Sequence, residues 1–526
     1  MVPSDANHLP GGSLCRKSLL NTDIVNQQLD IEVSTTPSPS AEYVGPSVCL
    51  KCHGVVHQLQ TLHMLGLHKI GQFGPLQNAA RFPTWDQALA KFSATGTTLY
   101  YFAYNGSATS PDWKVSETNP GTGVSFTAKL YTASSKYYVD LTNVKGTAST
   151  VTYEVDMSYG GGLYKQRYLA IIGGSRYVLP IQFNFQGQTD ETQPFSRWVW
   201  MQYNAQNWYD ETNMAVKAPA KTKAFDNNCA GCHFTGFSLT GDAIAGFKAH
   251  ATPDVGGEMD FDGDGLAEEI NVSCENCHGP GSEHWQKAGQ GHAIVTPSLL
   301  TPEREVAICA QCHTRALGVG GGATEAPMDV NGHMMRAGTS RHEFLTSFVS
   351  KLDDGQWDAV KGDGKHAKKH HQQASDFLKS KKYRNTNYLM TCADCHDLHG
   401  DKALNHQVRD KLDSATAGEG LCMGCHGGTY PAGATLGARE QAHYASKGIP
   451  NVAMGDIACV DCHMPKTAKS GSGLKQGTIQ GVTYYSGDIS SHMFDVPRRT
   501  SIATKAADMM AIPYTNACGA CHTVAP

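Results

Sequence analysis

Sixteen of the seventeen cysteines fall into eight Cys-x-x-Cys pairs, and a histidine follows every pair. The first four runs are Cys49, Cys52 and His53; Cys229, Cys232 and His233; Cys274, Cys277 and His278; and Cys309, Cys312 and His313. The last four are Cys392, Cys395 and His396; Cys422, Cys425 and His426; Cys459, Cys462 and His463; and Cys518, Cys521 and His522. Histidine accounts for 24 of 526 residues. At that frequency eight such coincidences have a chance probability on the order of 10⁻¹¹, so one chemistry must explain all eight. Two thiols at this spacing can add across the two vinyl groups of one haem, and the adjacent imidazole then reaches the iron as its proximal ligand. Zinc normally needs two Cys pairs per metal and does not demand a histidine after each. Thioredoxin-like pairs do not recur eightfold. Eight disulfides across two-residue loops would leave the histidines unexplained. The expectation is eight covalently attached haem c groups, with the eight histidines above as proximal ligands.

Sixteen histidines remain, and eight irons with two imidazoles each need only half of them. The candidates for the distal side are His68, His250, His284, His342, His370, His399, His443 and His492. His399 stands three residues after His396. That is too close to reach the same iron, so it is expected to cross to a neighbour. His370 and His371 are adjacent and are expected to supply one ligand between them. Methionine, with 16 copies, is a secondary source of distal ligands.

Four segments carry a family resemblance. They are Cys274 to His284, Lys369 to Leu378, Cys392 to Gly400, and Cys459 to Pro465 followed by His492. Over roughly residues 225–500 the chain resembles the multihaem cytochrome c superfamily of pentahaem nitrite reductase, hydroxylamine oxidoreductase and related electron-transfer cytochromes. The resemblance implies distal roles for His284, His399, His443 and His492. Two features depart from the enzymes. No Cys-x-x-Cys-Lys run is present, and only Thr523 to Pro526 follow His522. Both count against a nitrite-reductase reading.

A separate cluster of oxygen donors lies at residues 260–269. Asp260, Asp262 and Asp264 occupy positions 1, 3 and 5 of a calcium loop, with Gly265 at the turn position and Glu268 or Glu269 to complete it. Position 12 is Asn271 rather than glutamate, so a full EF-hand is not implied. Calcium is the expected ion, against a plain acidic turn.

The elements that must hold these groups divide the chain. Residues 1–48 read as an extended polar arm carrying the leftover thiol, Cys15, and residues 49–89 as a first haem segment. Residues 69–228 contain no cysteine and no histidine but five of the seven tryptophans. Strand signals run from Thr97 to Tyr104, Ser125 to Thr132, Lys136 to Val144, Thr150 to Met157, Tyr164 to Ile172 and Arg176 to Phe185. Residues 90–205 are therefore expected to be an inserted β-rich domain, a sandwich-like fold or a small barrel, with a structural spacer as its plainest role. Residues 206–526 would form a seven-haem cytochrome domain. Between Cys229 and His522 seven motifs share 294 residues, too little chain for a conventional core around each haem. The fold class expected is a multihaem cytochrome c, mostly loops and short helices packed around haems, with the all-β insertion.

Composition narrows the function. Charged residues are 17% and the formal charge is −5 without a long basic run, which argues against nucleic acid as a partner. No stretch is long and apolar enough for a transmembrane helix. Haem attachment of this kind takes place outside the cytoplasm. The protein is therefore expected to be exported to the periplasm or cell surface, although residues 1–14 do not read as an export signal. The leading expectation is an electron-transfer cytochrome passing electrons along closely spaced bis-histidine haems. Its partners would be redox proteins or an extracellular acceptor. His8 on the arm could reach a neighbouring subunit and so build a filament. The alternative is a multihaem oxidoreductase of small nitrogen or sulfur compounds with one open iron, for which Arg315, Arg341, Tyr383 and Arg384 could supply charge or protons.

Overall fold

The computed structural model describes residues 37–54, 61–71, 88–103, 113–161, 165–184, 200–289, 293–320, 326–352, 365–367, 369–399, 405–411, 420–426, 436–446, 459–468, 475–479, 482–485 and 489–495. The expectations for residues 1–36 and for the run of Cys518, Cys521 and His522 lie outside these residues.

The dominant element is one antiparallel sheet. Its strands are β1 (Leu67–Lys69), β2 (Thr97–Ala103), β3 (Trp113–Ser116), β4 (Val124–Ala133), β5 (Lys136–Asn143), β6 (Thr150–Tyr159), β7 (Lys165–Ile172), β8 (Ser175–Asn184) and β9 (Trp200–Gln202). They run in the order β3-β2-β4-β5-β6-β7-β8-β9, with β1 paired on β6. The two ends of this path meet. Trp200 Nε1 on β9 donates to Glu117 Oε1 just beyond β3 at 2.6 Å. The Tyr101 hydroxyl on β2 donates to the Pro180 carbonyl on β8 at 3.1 Å. The sheet is thus a nearly closed barrel.

Turn chemistry fixes its register. Gly173 and Gly174 both hold positive φ between Ile172 and Ser175, which pair directly. Two positive φ values in a two-residue hairpin match the twist of the flanking strands, and glycine adopts them without a Cβ penalty. Ser134 and Ser135 make the same turn between β4 and β5, at φ 48° and 62°. Inside, alternating residues Leu130, Val139, Leu141 and Tyr153 are closed to solvent. Phe126 stacks between Tyr101 and Tyr209 at 4.3 and 4.9 Å, with Trp113 edge-on at 5.5 Å.

This architecture corrects the expected fold class. The described chain is rich in antiparallel sheet and is not mostly loops and short helices around haems. The six expected strands form where the sequence put them, and of the two arrangements expected for them, sandwich or small barrel, they take the barrel-like one, a single sheet curling on itself. From β4 to β9 consecutive strands pair, an antiparallel meander whose twist lets the sheet curl toward closure. Sheet also recurs among the Cys-x-x-Cys runs. Ser238–Asp242 pairs with Gly246–His250, Thr252–Pro253 with Glu268–Glu269, Leu317–Gly318 with Val349–Lys351, and Lys475–Ile479 with Val482–Tyr485.

The chain divides into two units. One comprises Thr35–Val295 and Arg315–Asp353, with the sheet and the first three Cys-x-x-Cys runs. The other comprises Met1–Ser34, Thr296–Thr314 and Asp354–Pro526. In the first unit the sheet carries the second run directly. Asp226, on the helix Phe225–Asn228 before Cys229, accepts from Arg176 N on β8 at 2.7 Å and from Ala249 N at 3.0 Å. Burial raises the Asp226 carboxyl, while those donors and the Arg176 charge pull it back. In the second unit the helix Pro302–His313, ending on the fourth run, meets the helix Gln373–Lys379: Ser375 Oγ donates to Thr314 O at 3.2 Å. No helix among the described residues is long and apolar enough to cross a membrane.

Candidate haem-attachment sites

All seven described runs sit on helical turns, among them Pro46–Cys49, Ala230–Cys232, Cys274–His278, Cys392–Asp394, Met423–His426 and Cys459–His463. A helical turn brings residues i, i+3 and i+4 to one face, so both thiols and the imidazole point the same way. Backbone bonds close the turn: His53 N to Cys49 O at 3.0 Å, His396 N to Cys392 O at 3.0 Å, His426 N to Cys422 O at 2.9 Å. Ser273 with Asn276, and Thr391 with Asp394, form capping boxes that start two of the turns.

The second cysteine of each run is held by the same turn. Cys52 N donates to Cys49 O at 3.2 Å, Cys232 N to Cys229 O at 3.1 Å, Cys395 N to Cys392 O at 3.2 Å and Cys425 N to Cys422 O at 3.3 Å. Cys277 and Cys312 stand one residue before the ends of the helices Cys274–His278 and Pro302–His313, and Cys462 does the same in Cys459–His463. None of the fourteen described cysteines is in a disulfide. Cys52 and Cys425 are exposed, whereas Cys277, Cys312, Cys395 and Cys462 are half-buried. Both cysteines of each described run thus sit on one turn and outside any disulfide, an arrangement that suits thioether formation. Haem attachment itself stays an expectation for all of them. For Cys518 and Cys521, outside the described residues, it rests on the sequence alone.

Four of the seven described proximal histidines face a second histidine. The ring centres are 6.3 Å apart for His53 and His284, 6.1 Å for His313 and His371, 6.2 Å for His396 and His492, and 6.2 Å for His443 and His463. An iron held about 2.0 Å from each imidazole nitrogen sets two coaxial ring centres roughly 6.4 Å apart, allowing about 1.2 Å from each ring centre to its nitrogen. A direct end-to-end hydrogen bond would bring them to about 5.2 Å. Aromatic packing also spans such distances. What singles these pairs out is that one separation recurs four times, always between a motif histidine and one outside the motif. The residues present therefore fit a bis-imidazole iron.

Side chains and carbonyls set the imidazoles. His278 Nδ1 donates to Val295 O at 2.8 Å, His313 Nδ1 to Gln373 Oε1 at 3.0 Å, His396 Nδ1 to His406 O at 3.0 Å, and His492 Nδ1 to Ser490 O at 3.1 Å. A proton held on Nδ1 leaves the lone pair on Nε2, the usual way a ligating histidine is oriented. Burial pushes His492 and His233 down to about 4 and lowers His313 and His396 as well, which keeps the rings neutral as ligands must be. His371 takes φ 58°, a left-handed conformation in which histidine is enriched, and this aims its ring at His313.

The runs also touch one another. The Cys49 and Cys274 thiols are in hydrogen-bonding contact, and so are those of Cys309 and Cys392. Glu275 fastens the first pair. Its carboxylate accepts from Val44 N at 2.9 Å, Gly45 N at 2.8 Å and Gly281 N at 2.8 Å. Gly45 sits at φ 80° against Asp254, where a Cβ would meet the carboxylate oxygen at 2.5 Å. His284 follows on the helix Ser282–Gln286 and so crosses from the third run to the first.

The other expected distal residues are placed as follows. His370 lies beside His371, with their Nδ1 atoms 3.2 Å apart, and His371 is the one opposite His313. His68 is buried on β1 and its Nδ1 bonds Glu258 at 2.8 Å, an orienting contact of the kind ligating histidines make. His250 has both nitrogens engaged, Nδ1 with Asp262 at 2.5 Å and Nε2 with Thr240 at 2.8 Å. His342 and His399 are exposed. Two residues escaped the sequence reading. The Tyr159 hydroxyl lies 3.2 Å from His233 Nε2, and Lys382 Nζ lies 2.6 Å from His426 Nε2. Neither has a sequence signal, because both arrive from distant segments.

Asp260, Asp262, Asp264 and Glu268 converge, each offering an oxygen within 4.8 Å of the others. Glu269 points elsewhere, its Oε1 accepting from Asn271 N at 2.9 Å.

No family model, no curated protein and no solved structure matches the chain.

Proposed function

We propose that the chain is an electron-transfer octahaem c-type cytochrome, exported and carrying bis-histidine irons. The observation that carries this reading is the single His–His separation of 6.1 to 6.3 Å recurring at four runs. Haem iron supplies a reversible one-electron couple. The protein's part is to hold two neutral imidazoles at fixed distance, so that reduction changes little around the metal. Contact between runs, through Cys49 with Cys274 and Cys309 with Cys392, favours short steps between neighbouring sites.

The test is a pyridine haemochrome count with low-temperature EPR of the oxidised protein. The expected result is eight haems per chain and low-spin signals unchanged by nitrite, hydroxylamine or sulfite. A chain without covalent haem overturns the reading.

A second reading rests on Lys382. An amine, not an imidazole, stands 2.6 Å from His426 Nε2. A primary amine beside an iron can act as a replaceable ligand or as a proton donor to a bound small molecule. On this reading the chain is a multihaem oxidoreductase. A high-spin signal near one-eighth of the total haem, shifted by one of those three ligands, would select it.

A further inference from the structure

We propose that Asp260, Asp262, Asp264 and Glu268 bind one calcium ion, and that this ion fastens the loop 260–268 to the nine-stranded sheet. Four carboxylates with oxygens within 4.8 Å repel one another and do not by themselves make a site. The deciding observation is Glu268. The residue is 1% exposed, and its Oε1 is closed to water and finds no donor, its carboxyl group lying instead against that of Asp262, while Oε2 accepts from Phe261 N. A buried carboxylate oxygen without a donor is costly to keep, and a cation among the four carboxylates satisfies it. The donors are all oxygen, which selects a hard ion. Calcium tolerates irregular shells of carboxylates and carbonyls, whereas magnesium demands a tight octahedron and keeps its waters.

The loop lies where such an ion would matter to the fold. Arg176 on β8 donates through Nη1 to Phe261 O at 2.6 Å, and its guanidinium lies 3.7 Å over the Phe261 ring. Phe261 stands between two of the four ligands. Asp262 also accepts from His250 Nδ1 at 2.5 Å, which ties the loop to the hairpin strand Gly246–His250. Removing the ion therefore loosens a contact that reaches the barrel. This inference uses none of the motif histidines and stands or falls apart from the haem reading.

The test uses the full chain with whatever cofactors it carries when isolated. Metal content is measured by elemental analysis, the protein is stripped with EGTA, and it is titrated with calcium chloride or magnesium chloride by calorimetry. Melting is followed in parallel, with sodium chloride matching the ionic strength. The expected result is one calcium per chain and a melting temperature raised by about 5 °C at about 1 mM calcium. Glu268→Gln should remove both effects. If that variant does not fold, the wild-type titration decides alone. No calcium in the isolated protein together with no binding heat overturns the proposal. So does a thermal shift that magnesium or sodium chloride reproduces.

Discussion

At the scale of single residues, the histidine pairs make the sharpest predictions. If His53 and His284 share a haem iron as proposed, His284→Ala should leave that iron with one imidazole and convert about one-eighth of the haem to high spin, read by EPR against total haem. His250→Ala should leave the spectrum unchanged, since both of its ring nitrogens already bond Asp262 and Thr240. Glu275 is a different kind of residue: it touches no candidate iron ligand but accepts three backbone N–H groups from two segments. Glu275→Gln turns an amide donor toward those donors. The expected cost is about 2 kcal/mol in urea unfolding, with the eight-haem count intact.

At the scale of elements, the barrel-like sheet is a scaffold with its own core. Leu141 on β5 is fully buried in it, so Leu141→Ala should lower unfolding stability by about 2–5 kcal/mol. Urea denaturation followed by tryptophan fluorescence checks this. An unchanged midpoint would mean that the sheet does not unfold with the rest of its unit. The sheet is also more than the spacer that composition suggested. β1 lays the segment after the first run along β6, with His68 opposite Ser158. Asp226 ties the helix before the second run to β8. A segment without a single cysteine or histidine thus holds candidate sites through its backbone and one carboxylate.

At the scale of the whole molecule, charge sets the choice of partner. Eight ferric porphyrins with sixteen propionates would move the formal charge from −5 to −13. Electron exchange with a basic donor protein should therefore slow as ionic strength rises, which stopped-flow reduction at two salt concentrations measures. A rate independent of salt would place the exchange at a neutral patch. The filament expectation built on His8 makes its own demand, an elongated assembly in light scattering and microscopy. A single monodisperse species removes it.

What was legible in the sequence was covalent or local. The spacing Cys-x-x-Cys-His fixes both thiols and one imidazole on a single helical turn, because residues i, i+3 and i+4 share a face whatever surrounds them. The six long strands were legible for the same reason. Their β-branched and aromatic content and their Gly-Gly or Ser-Ser turns act within a few residues. Asp260, Asp262 and Asp264 were readable too, since alternate positions in one tight turn converge by chain geometry alone. The tertiary structure decided everything that depends on distant segments meeting. It set His371 rather than His370 opposite His313, and it turned both nitrogens of His250 to other partners. It also brought Tyr159 to His233 and Lys382 to His426, and it decided between a sandwich and a barrel by curling one sheet on itself. A distal ligand is chosen by which side chain the packing delivers to the far face of an iron, and no spacing along the chain encodes that delivery.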